Sequence, residues 1–172
     1  GPSEVLIISD GTTNPEYTAI DILAQSEHDP NAKATLITTD KEYAKKVEEK
    51  ITAFVKELPT GETAYKSWKD NGTIMLAADE AEMIKISNEM APEHLEVHTK
   101  NSKKLSKKLY NYGSLFIGEY TPVAFGDYCS GTNHTLPTMR TARSASRMRP
   151  ASAAATHLRK LTAAGMPARG TA

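Results

Sequence analysis

The chain alternates short apolar runs with longer stretches in which apolar residues recur every three or four positions. Short apolar runs bounded by turn-forming residues predict buried strands, and apolar residues at helical spacing predict amphipathic helices. The predicted strands are residues 4–9, 33–38, 72–77, 95–98 and 114–117. The predicted helices lie between or after them, at residues 15–28, 40–58, 79–90 and 101–110.

Strands that alternate with helices predict a Rossmann-like α/β fold, with a mainly parallel sheet and helices on both faces. In such sheets ligands collect in loops beyond the carboxyl ends of the strands, and the aperiodic stretch at residues 119–139 follows the last predicted strand. The sequence contains neither a Gly-x-Gly-x-x-Gly pattern nor a P-loop pattern. Spacing alone therefore assigns no phosphate-binding residues.

The size and composition are typical of one globular domain. The chain has 172 residues, of which 39% are hydrophobic and 24% charged, and this suffices for a buried core. We expect neither a signal peptide nor a membrane span, since no stretch approaches about 20 apolar residues. The single cysteine, Cys129, excludes a disulfide framework and fits a reducing compartment. We therefore expect a cytoplasmic protein, or a plastid protein if the source is a plant.

Basic residues dominate the end of the chain. Asp127 is the last acidic residue and seven arginines and lysines follow it, so residues 1–127 carry a net charge of −7 although the whole chain is neutral. We predict an α/β domain at residues 1–138 and a basic, alanine-rich tail at residues 139–172. A basic tail can bind nucleic acid, but this one has no interleaved aromatic residues and no nucleic-acid motif. A tail that is solvated or packs on a partner is the favoured interpretation.

Two short polar clusters contain residues that can bind a metal or move a proton. Gln25 and His28 lie three positions apart near the end of a predicted helix, which places both on one face. An amide oxygen and an imidazole nitrogen can each bind a divalent cation. Glu93 and His94 follow Pro92 between a helix and a strand, and a carboxylate beside an imidazole can act in acid–base catalysis. Taken alone, each pair is more often a solvated helix end or surface turn.

A third cluster lies in the long loop at residues 126–138. Asp127 can supply an oxygen ligand, and His134 a ligand or a hydrogen bond. Long loops without periodicity tend to be functional, although each of these two residues alone is more often structural. Three such clusters in one α/β pattern indicate a single assembled polar site.

Four segments that contain these clusters resemble the histidinol dehydrogenase family. They are GPSEVLIISD at residues 1–10, LAQSEHD at 23–29, NEMAPEHLE at 88–96 and GDYCSGTNHTLPT at 126–138. Four motifs in the same order are highly specific, and the resemblance covers about residues 1–143. It implies a homodimeric oxidoreductase of histidine biosynthesis that uses zinc and NAD to oxidise L-histidinol to L-histidine through the aldehyde.

The resemblance also implies roles for seven residues. By their place in the motifs, the zinc ligands are Gln25, His28 and Asp127, the catalytic acid–base pair is Glu93 and His94, and the substrate contacts are Ser3 and His134. In that scheme His94 takes the alcohol proton as hydride leaves to NAD, and Glu93 activates the water that hydrates the aldehyde. No residue is assigned to NAD, because the family's NAD contacts lie mostly in an N-terminal half that these motifs do not cover.

The sequence also departs from the family pattern. Members are much longer, and their fourth zinc ligand is a histidine in a C-terminal tail of the other subunit, a motif that His157 does not match. The resemblance fades after Arg143, and Met139 and Arg140 replace glycines common in histidinol-oxidising members. We therefore expect a fragment that covers the second nucleotide-binding-like domain and is weakly active or inactive alone. Two alternatives stay open: a relative that oxidises another small alcohol, such as a sulfonated diol, and a non-catalytic binding domain.

Overall fold

The computed structural model describes residues 3–118 and 159–161, and strands alternate with helices along most of its length. In chain order the elements are β1 (Glu4–Ser9), α1 (Pro15–His28), β2 (Lys33–Thr38), α2 (Lys41–Phe54), α3 (Gly61–Asn71), β3 (Thr73–Leu76), α4 (Glu80–Met90), β4 (His94–His98), α5 (Ser102–Ser106), β5 (Ser114–Ile117) and β6 (Arg159–Leu161). Each of the five predicted strands is present. Among these described residues, no helix has the length and hydropathy needed to cross a membrane.

The strands form one sheet in the order β5-β4-β1-β2-β3-β6. The central strand β1 pairs in parallel with β2 on one side and β4 on the other, so that Leu6 lies opposite both Thr35 and Leu95. The β2–β3 and β4–β5 pairs are also parallel, and β6 alone is antiparallel to its neighbour. The sheet grows outward from β1 in both directions, which is the doubly wound pattern. The prediction of a Rossmann-like, mainly parallel sheet is confirmed.

Helices cover both faces of this sheet. In β1, Val5 and Ile7 join the apolar cluster beneath α1, α2 and α3, whereas Leu6 and Ile8 join the cluster beneath α4 and α5. All four side chains are buried, as expected for a parallel strand that is covered on both sides. The predicted two-sided arrangement is therefore also confirmed.

Short polar side chains fix where three of the helices begin. Asn14 accepts a hydrogen bond of 3.0 Å from the backbone N of Glu16, and Pro15 occupies the first turn of α1. Asp40 caps α2 and Asp79 caps α4 in the same way. Because α1 starts directly after the loop that follows β1, it runs back antiparallel to the strands and ends at their amino-terminal edge.

The region after α2 differs from the prediction. α2 ends at Phe54 rather than at residue 58, and α3 follows as a separate helix that the sequence analysis missed. Ala64 and Trp68, one turn apart on α3, are buried in the apolar cluster beneath α1 and α2. The spacing of Ala64 and Trp68 was the sequence signal for this helix. It was obscured because charged residues flank both positions and a Pro-Thr-Gly break precedes them. α5 is shorter than the predicted helix at residues 101–110.

Strand β6 lies within the segment that was predicted to be a basic tail. Its three residues pair with β3, where Lys160 lies opposite Met75. This part of residues 139–172 therefore joins the edge of the sheet. The proposed domain boundary at residue 138 lies outside the described residues and stays a prediction.

Candidate functional site

Strand β4 places three ionisable side chains on one face of the sheet. His94, Glu96 and His98 alternate with Leu95 and Val97, and successive residues of a strand point to opposite faces. Leu95 and Val97 belong to the apolar cluster beneath α4 and α5. The three ionisable side chains therefore face α1, and all three are buried.

Ser3 and Glu4, at the start of β1, hold Glu93, which immediately precedes β4. Glu93 Oε2 accepts hydrogen bonds from Ser3 Oγ at 3.2 Å and from the backbone N of Glu4 at 3.4 Å. In return, the backbone N of Glu93 donates to Glu4 Oε1 at 3.2 Å. Glu93 is 5% exposed. A predicted catalytic carboxylate and a predicted substrate contact thus lie side by side.

His94 lies next to this carboxylate with a defined ring orientation. Its Nδ1 is 3.1 Å from the backbone O of Glu4 and 3.9 Å from Glu93 Oε2. Because a carbonyl oxygen can only accept a hydrogen bond, Nδ1 carries the hydrogen in this contact, and Nε2 is the basic nitrogen of the neutral ring. The ring centroid of Phe116 lies 6.2 Å from that of His94. The pair has the orientation and the groups that acid–base chemistry requires.

The segment before β5 supports the backbone of Glu93 from the other side. Gly113 N donates to Pro92 O at 2.9 Å, and Ser114 N donates to Glu93 O at 2.8 Å. A Cβ at position 113 would lie 2.6 Å from Glu93 O, so glycine permits this close approach. Helix α4 ends with Ala91 in the left-handed conformation, at φ 49°, which directs the chain into Pro92.

Gln25 and His28 occupy the last turns of α1. Gln25 is 5% exposed, and its Nε2 has no hydrogen-bond partner in the described structure, whereas His28 is exposed. The O and N of an amide exchange places by rotation of the terminal group, so the unpartnered position can hold either atom. An amide oxygen and an imidazole in one helix end are suitable donors for a divalent cation. These two residues therefore fit the zinc ion that the family resemblance implies.

The five described residues of the predicted site lie at the amino-terminal edge of the sheet. Ser3, Glu93 and His94 lie where β1 and β4 begin, and Gln25 and His28 lie where α1 ends. The expectation of ligands beyond the carboxyl ends of the strands was made for the loop after the last predicted strand, which lies outside the described residues and stays a prediction. At the opposite edge, the gap between β1 and β4 is bridged, because Asp10 Oδ2 accepts a hydrogen bond of 3.0 Å from the backbone N of Lys100.

The remaining two predicted site residues lie outside the described residues. Asp127, predicted to be a third zinc ligand, and His134, predicted to contact substrate, both belong to the loop at residues 126–138. Their roles stay predictions.

Asp21, Glu96 and His98 form a buried cluster that the sequence analysis missed. His98 Nε2 is 3.1 Å from Glu96 Oε2 and 3.7 Å from Asp21 Oδ2, and one candidate ligand atom from each residue lies within 4.8 Å of the others. Burial, then the nearby Glu96 carboxylate, raise the pKa of Asp21 to about 8, although His98 opposes the shift. The alternation of His94, Glu96 and His98 was the signal in the sequence, and only the position of α1 adds Asp21.

Comparisons with known proteins identify the family. The family model described as histidinol dehydrogenase matches residues 1–168. The chain belongs to the histidinol dehydrogenase family. The match extends past Arg143, where the resemblance was expected to fade, while the alignments with individual relatives cover 140–146 residues.

Several relatives are similar over most of this chain. Histidinol dehydrogenase 1 of Trichormus variabilis is 44% identical over 146 residues, which is 85% of this chain and 34% of the relative. A histidinol dehydrogenase homolog of Pelagibacter ubique is 49% identical over 140 residues, or 80% of this chain and 33% of the relative. The crystal structure of histidinol dehydrogenase from Elizabethkingia anophelis superimposes with a TM-score of 0.77 at 38% identity, over 83% of this chain and 33% of that one. The chain therefore spans about one third of the length of the relatives it matches.

Membership of the histidinol dehydrogenase family makes the chain part of an oxidoreductase family. Membership of this family agrees with the use of NAD and a metal. The described residues include a group of side chains that could hold a metal ion. The structural match also agrees with the doubly wound sheet.

Proposed function

We propose that the chain is part of an enzyme that oxidises L-histidinol to L-histidine through the aldehyde, with zinc and NAD. The contact of Ser3 with Glu93, beside His94 and at the edge of the sheet where α1 ends, is the observation that carries the proposal. Relatives named histidinol dehydrogenase, 44–46% identical to this chain, support histidinol over another small alcohol. They likewise favour an enzyme over a non-catalytic binding domain.

His94 is the base for the first half of the reaction. Its Nδ1 hydrogen is engaged by the backbone O of Glu4, so Nε2 is the ring nitrogen that can accept the proton of a substrate hydroxyl. Removal of the hydroxyl proton by this nitrogen lets the carbon release a hydride. Burial of His94 at 3% exposure keeps competing water away from the ring.

Glu93 is the base for the second half of the reaction. A carboxylate with a free lone pair can take a proton from the water that hydrates the aldehyde, and the hydrate can then release a second hydride. The hydrogen bonds from Ser3 Oγ and Glu4 N fix the position of Oε2. A base held in this way loses little entropy when the reaction begins.

Gln25 and His28 would hold the zinc ion, together with Asp127 from the loop outside the described residues. When bound, zinc supplies a positive charge that anchors and polarises the substrate, and NAD accepts the hydride. His134 is proposed as a substrate contact, and the residues that contact NAD are not assigned.

The proposal includes a homodimer, as the family resemblance implies, and a cytoplasmic location. Neither a membrane nor nucleic acid is among the proposed partners. Because the chain covers one third of the length of its relatives, we expect the 172-residue chain to be weakly active or inactive when purified alone.

The test uses the complete polypeptide that contains this chain, loaded with zinc. Turnover of L-histidinol and of the aldehyde is followed separately by NADH formation. Glu93→Gln should lower aldehyde oxidation by about 10²- to 10⁴-fold, the usual contribution of a general base, and affect alcohol oxidation less. His94→Asn should lower alcohol oxidation by a similar factor.

Glu89→Gln is the matched control, because Glu89 is exposed on α4 and makes the same charge change. It should keep full activity. Absence of histidinol turnover by the zinc-loaded complete protein would refute the proposal, and so would full aldehyde oxidation by Glu93→Gln.

A further inference from the structure

A polar cluster joins helix α1 to strand β4 inside the protein. Oxygen atoms of Asp21 on α1 and Glu96 on β4 lie within 4.8 Å of each other, and His98 Nε2 lies 3.1 Å from Glu96 and 3.7 Å from Asp21. The side chains of Glu96 and His98 are each 1% exposed and that of Asp21 is 10% exposed. We call Asp21, Glu96 and His98 the α1–β4 cluster.

Hydroxyl groups orient the imidazole of this cluster. Thr18 Oγ1, one turn before Asp21, lies 2.9 Å from His98 Nδ1. The same hydroxyl lies 2.8 Å from the Tyr43 hydroxyl, which in turn lies 2.9 Å from Thr13 Oγ1. His98 is therefore held at both ring nitrogens, and Nε2 is aimed at the two carboxyl groups.

The described strands on either side of β4 place uncharged residues beside this cluster. Glu96 lies in register between Ile7 of β1 and Phe116 of β5, and His98 lies beside Ser9 of β1. Among the described residues, the titratable groups shown at the cluster are its own three members and, through the Thr18 hydroxyl, Tyr43 of α2. Two carboxyl groups and one imidazole in such surroundings favour a shared proton, since two unpaired negative charges would be costly to bury.

The cluster sets the position of α1 along β4. Four residues from Asp21 to Gln25 advance about 6 Å along a helix, and two residues from Glu96 back to His94 cover about 7 Å along a strand. Because α1 runs antiparallel to β4, the helix position opposite His94 is then that of Gln25. If α1 shifted along β4 at the cluster, Gln25 and His28 would move by the same distance.

We propose that Asp21, Glu96 and His98 are positioning residues, which fix the zinc-binding end of α1 relative to Glu93 and His94. The inference rests on the proposed function for the roles of those two groups. The cluster acts through the register of a helix on a strand.

The cluster also has a pH signature that can be measured without metal. In the unfolded chain Asp21 loses its proton near the ordinary value of 3.8, whereas in the folded protein the pKa is about 8. Between these values the folded state binds more protons than the unfolded state, so this contribution to stability falls as pH rises from about 4 to 8. Asp21→Asn removes that slope, because an amide cannot ionise but can donate a hydrogen bond to Glu96.

The experiment compares Asp21→Asn with Asp21→Leu in the complete polypeptide, and Asp70→Asn serves as control because it makes the same change on the exposed face of α3. Unfolding by denaturant at several pH values, without metal, reports on the cluster. Two measurements report on positioning. One is zinc affinity, determined by competition with a chelator, and the other is the separate effect of each substitution on kcat and on KM. We expect Asp21→Asn to retain zinc affinity and kcat within about twofold, and Asp21→Leu to lose at least about tenfold in each.

The outcomes separate this inference from the proposed function. If folded Asp21→Leu binds zinc as tightly as the native protein, the positioning role is refuted and the proposed function stands. If Asp21→Leu fails to fold, Glu96→Leu compared with Glu96→Gln provides the same test, with hydrogen exchange of α1 amides as an added readout. If the stability of Asp21→Asn depends on pH as that of the native protein does, the shared proton is refuted. If the native protein binds a second equivalent of zinc and His98→Gln abolishes it, the cluster is a metal site instead. If the native protein binds no zinc, the proposed function fails while the unfolding arm still tests the cluster.

Discussion

Ser3 Oγ donates a hydrogen bond of 3.2 Å to Glu93 Oε2, although 90 positions separate the two residues in the chain. The contact exists because β1 and β4 are neighbours in the sheet, with Val5 opposite His94. The first residue before β1 therefore lies beside the last residue before β4. This pairing brings together two residues that were singled out from different motifs.

Ser3→Ala tests how much this hydrogen bond orients the carboxylate. A hydrogen bond to a charged group contributes about 1.5–3 kcal/mol, so kcat for aldehyde oxidation should fall roughly tenfold or more while zinc content stays constant. Steady-state kinetics and metal analysis of the complete polypeptide check this. Ser106→Ala on α5, which removes an exposed hydrogen bond to Lys103 O of the same helix, should leave kcat unchanged. Equal kinetics for the two variants would contradict the orienting role.

Gln25→Met should change metal binding and metal-free stability in opposite directions. The buried Nε2 of Gln25 lacks a hydrogen-bond partner in the described structure, and an unsatisfied buried polar group costs about 1–3 kcal/mol. A methionine of similar shape removes that cost, so the metal-free protein should become more stable while zinc affinity falls at least about tenfold. Denaturant unfolding and chelator competition measure the two effects. A loss of metal-free stability with unchanged zinc affinity would show that Gln25 is structural.

Gly113→Ala should disturb Glu93 through a direct backbone contact. The added Cβ would lie 2.6 Å from Glu93 O, and overpacking of this kind costs about 1–3 kcal/mol. We expect lower stability and a larger loss of kcat, because Ser114 N and Gly113 N hold this part of the backbone. Thermal unfolding and kinetics check both expectations.

Gly118→Ala is the control for that substitution. Its Cβ would meet nothing within 4 Å, but its φ of 98° is unfavourable for alanine. Backbone strain alone should therefore reduce stability and leave kcat intact. If Gly118→Ala lowers kcat as much as Gly113→Ala does, the contact with Glu93 is not the cause.

Asn88→Ala should loosen the segment that leads to Gly113. Asn88 Nδ2 donates to Lys108 O at 3.1 Å, and Tyr110 N donates to Asn88 Oδ1 at 3.0 Å. Loss of both bonds at a buried position should lower the free energy of unfolding by about 1–3 kcal/mol. Asn71→Ala removes one exposed bond to Pro30 O and should cost less. Denaturant unfolding of both variants provides the comparison.

Local patterns in the sequence were sufficient to predict the elements that build the sheet. The five strands and the coverage of both faces follow from apolar periodicity, which acts over a few residues. Helix α3 was missed because its buried face, with Ala64 and Trp68, is narrow among charged residues. The strand β6 carries no local signal of its own and forms by pairing with β3.

The sequence by itself determined the family, the doubly wound fold and the identity of the polar clusters, because motifs and periodicities are properties of neighbouring residues. Only the tertiary structure decided that Ser3, Glu93 and His94 meet at the amino-terminal edge of the sheet, and that Asp21 joins Glu96 and His98 beneath α1. Those contacts depend on which strands pair and in which register. The burial that raises the pKa of Asp21 has the same origin, since it arises only when a helix near the start of the sequence covers a strand that follows much later in the chain.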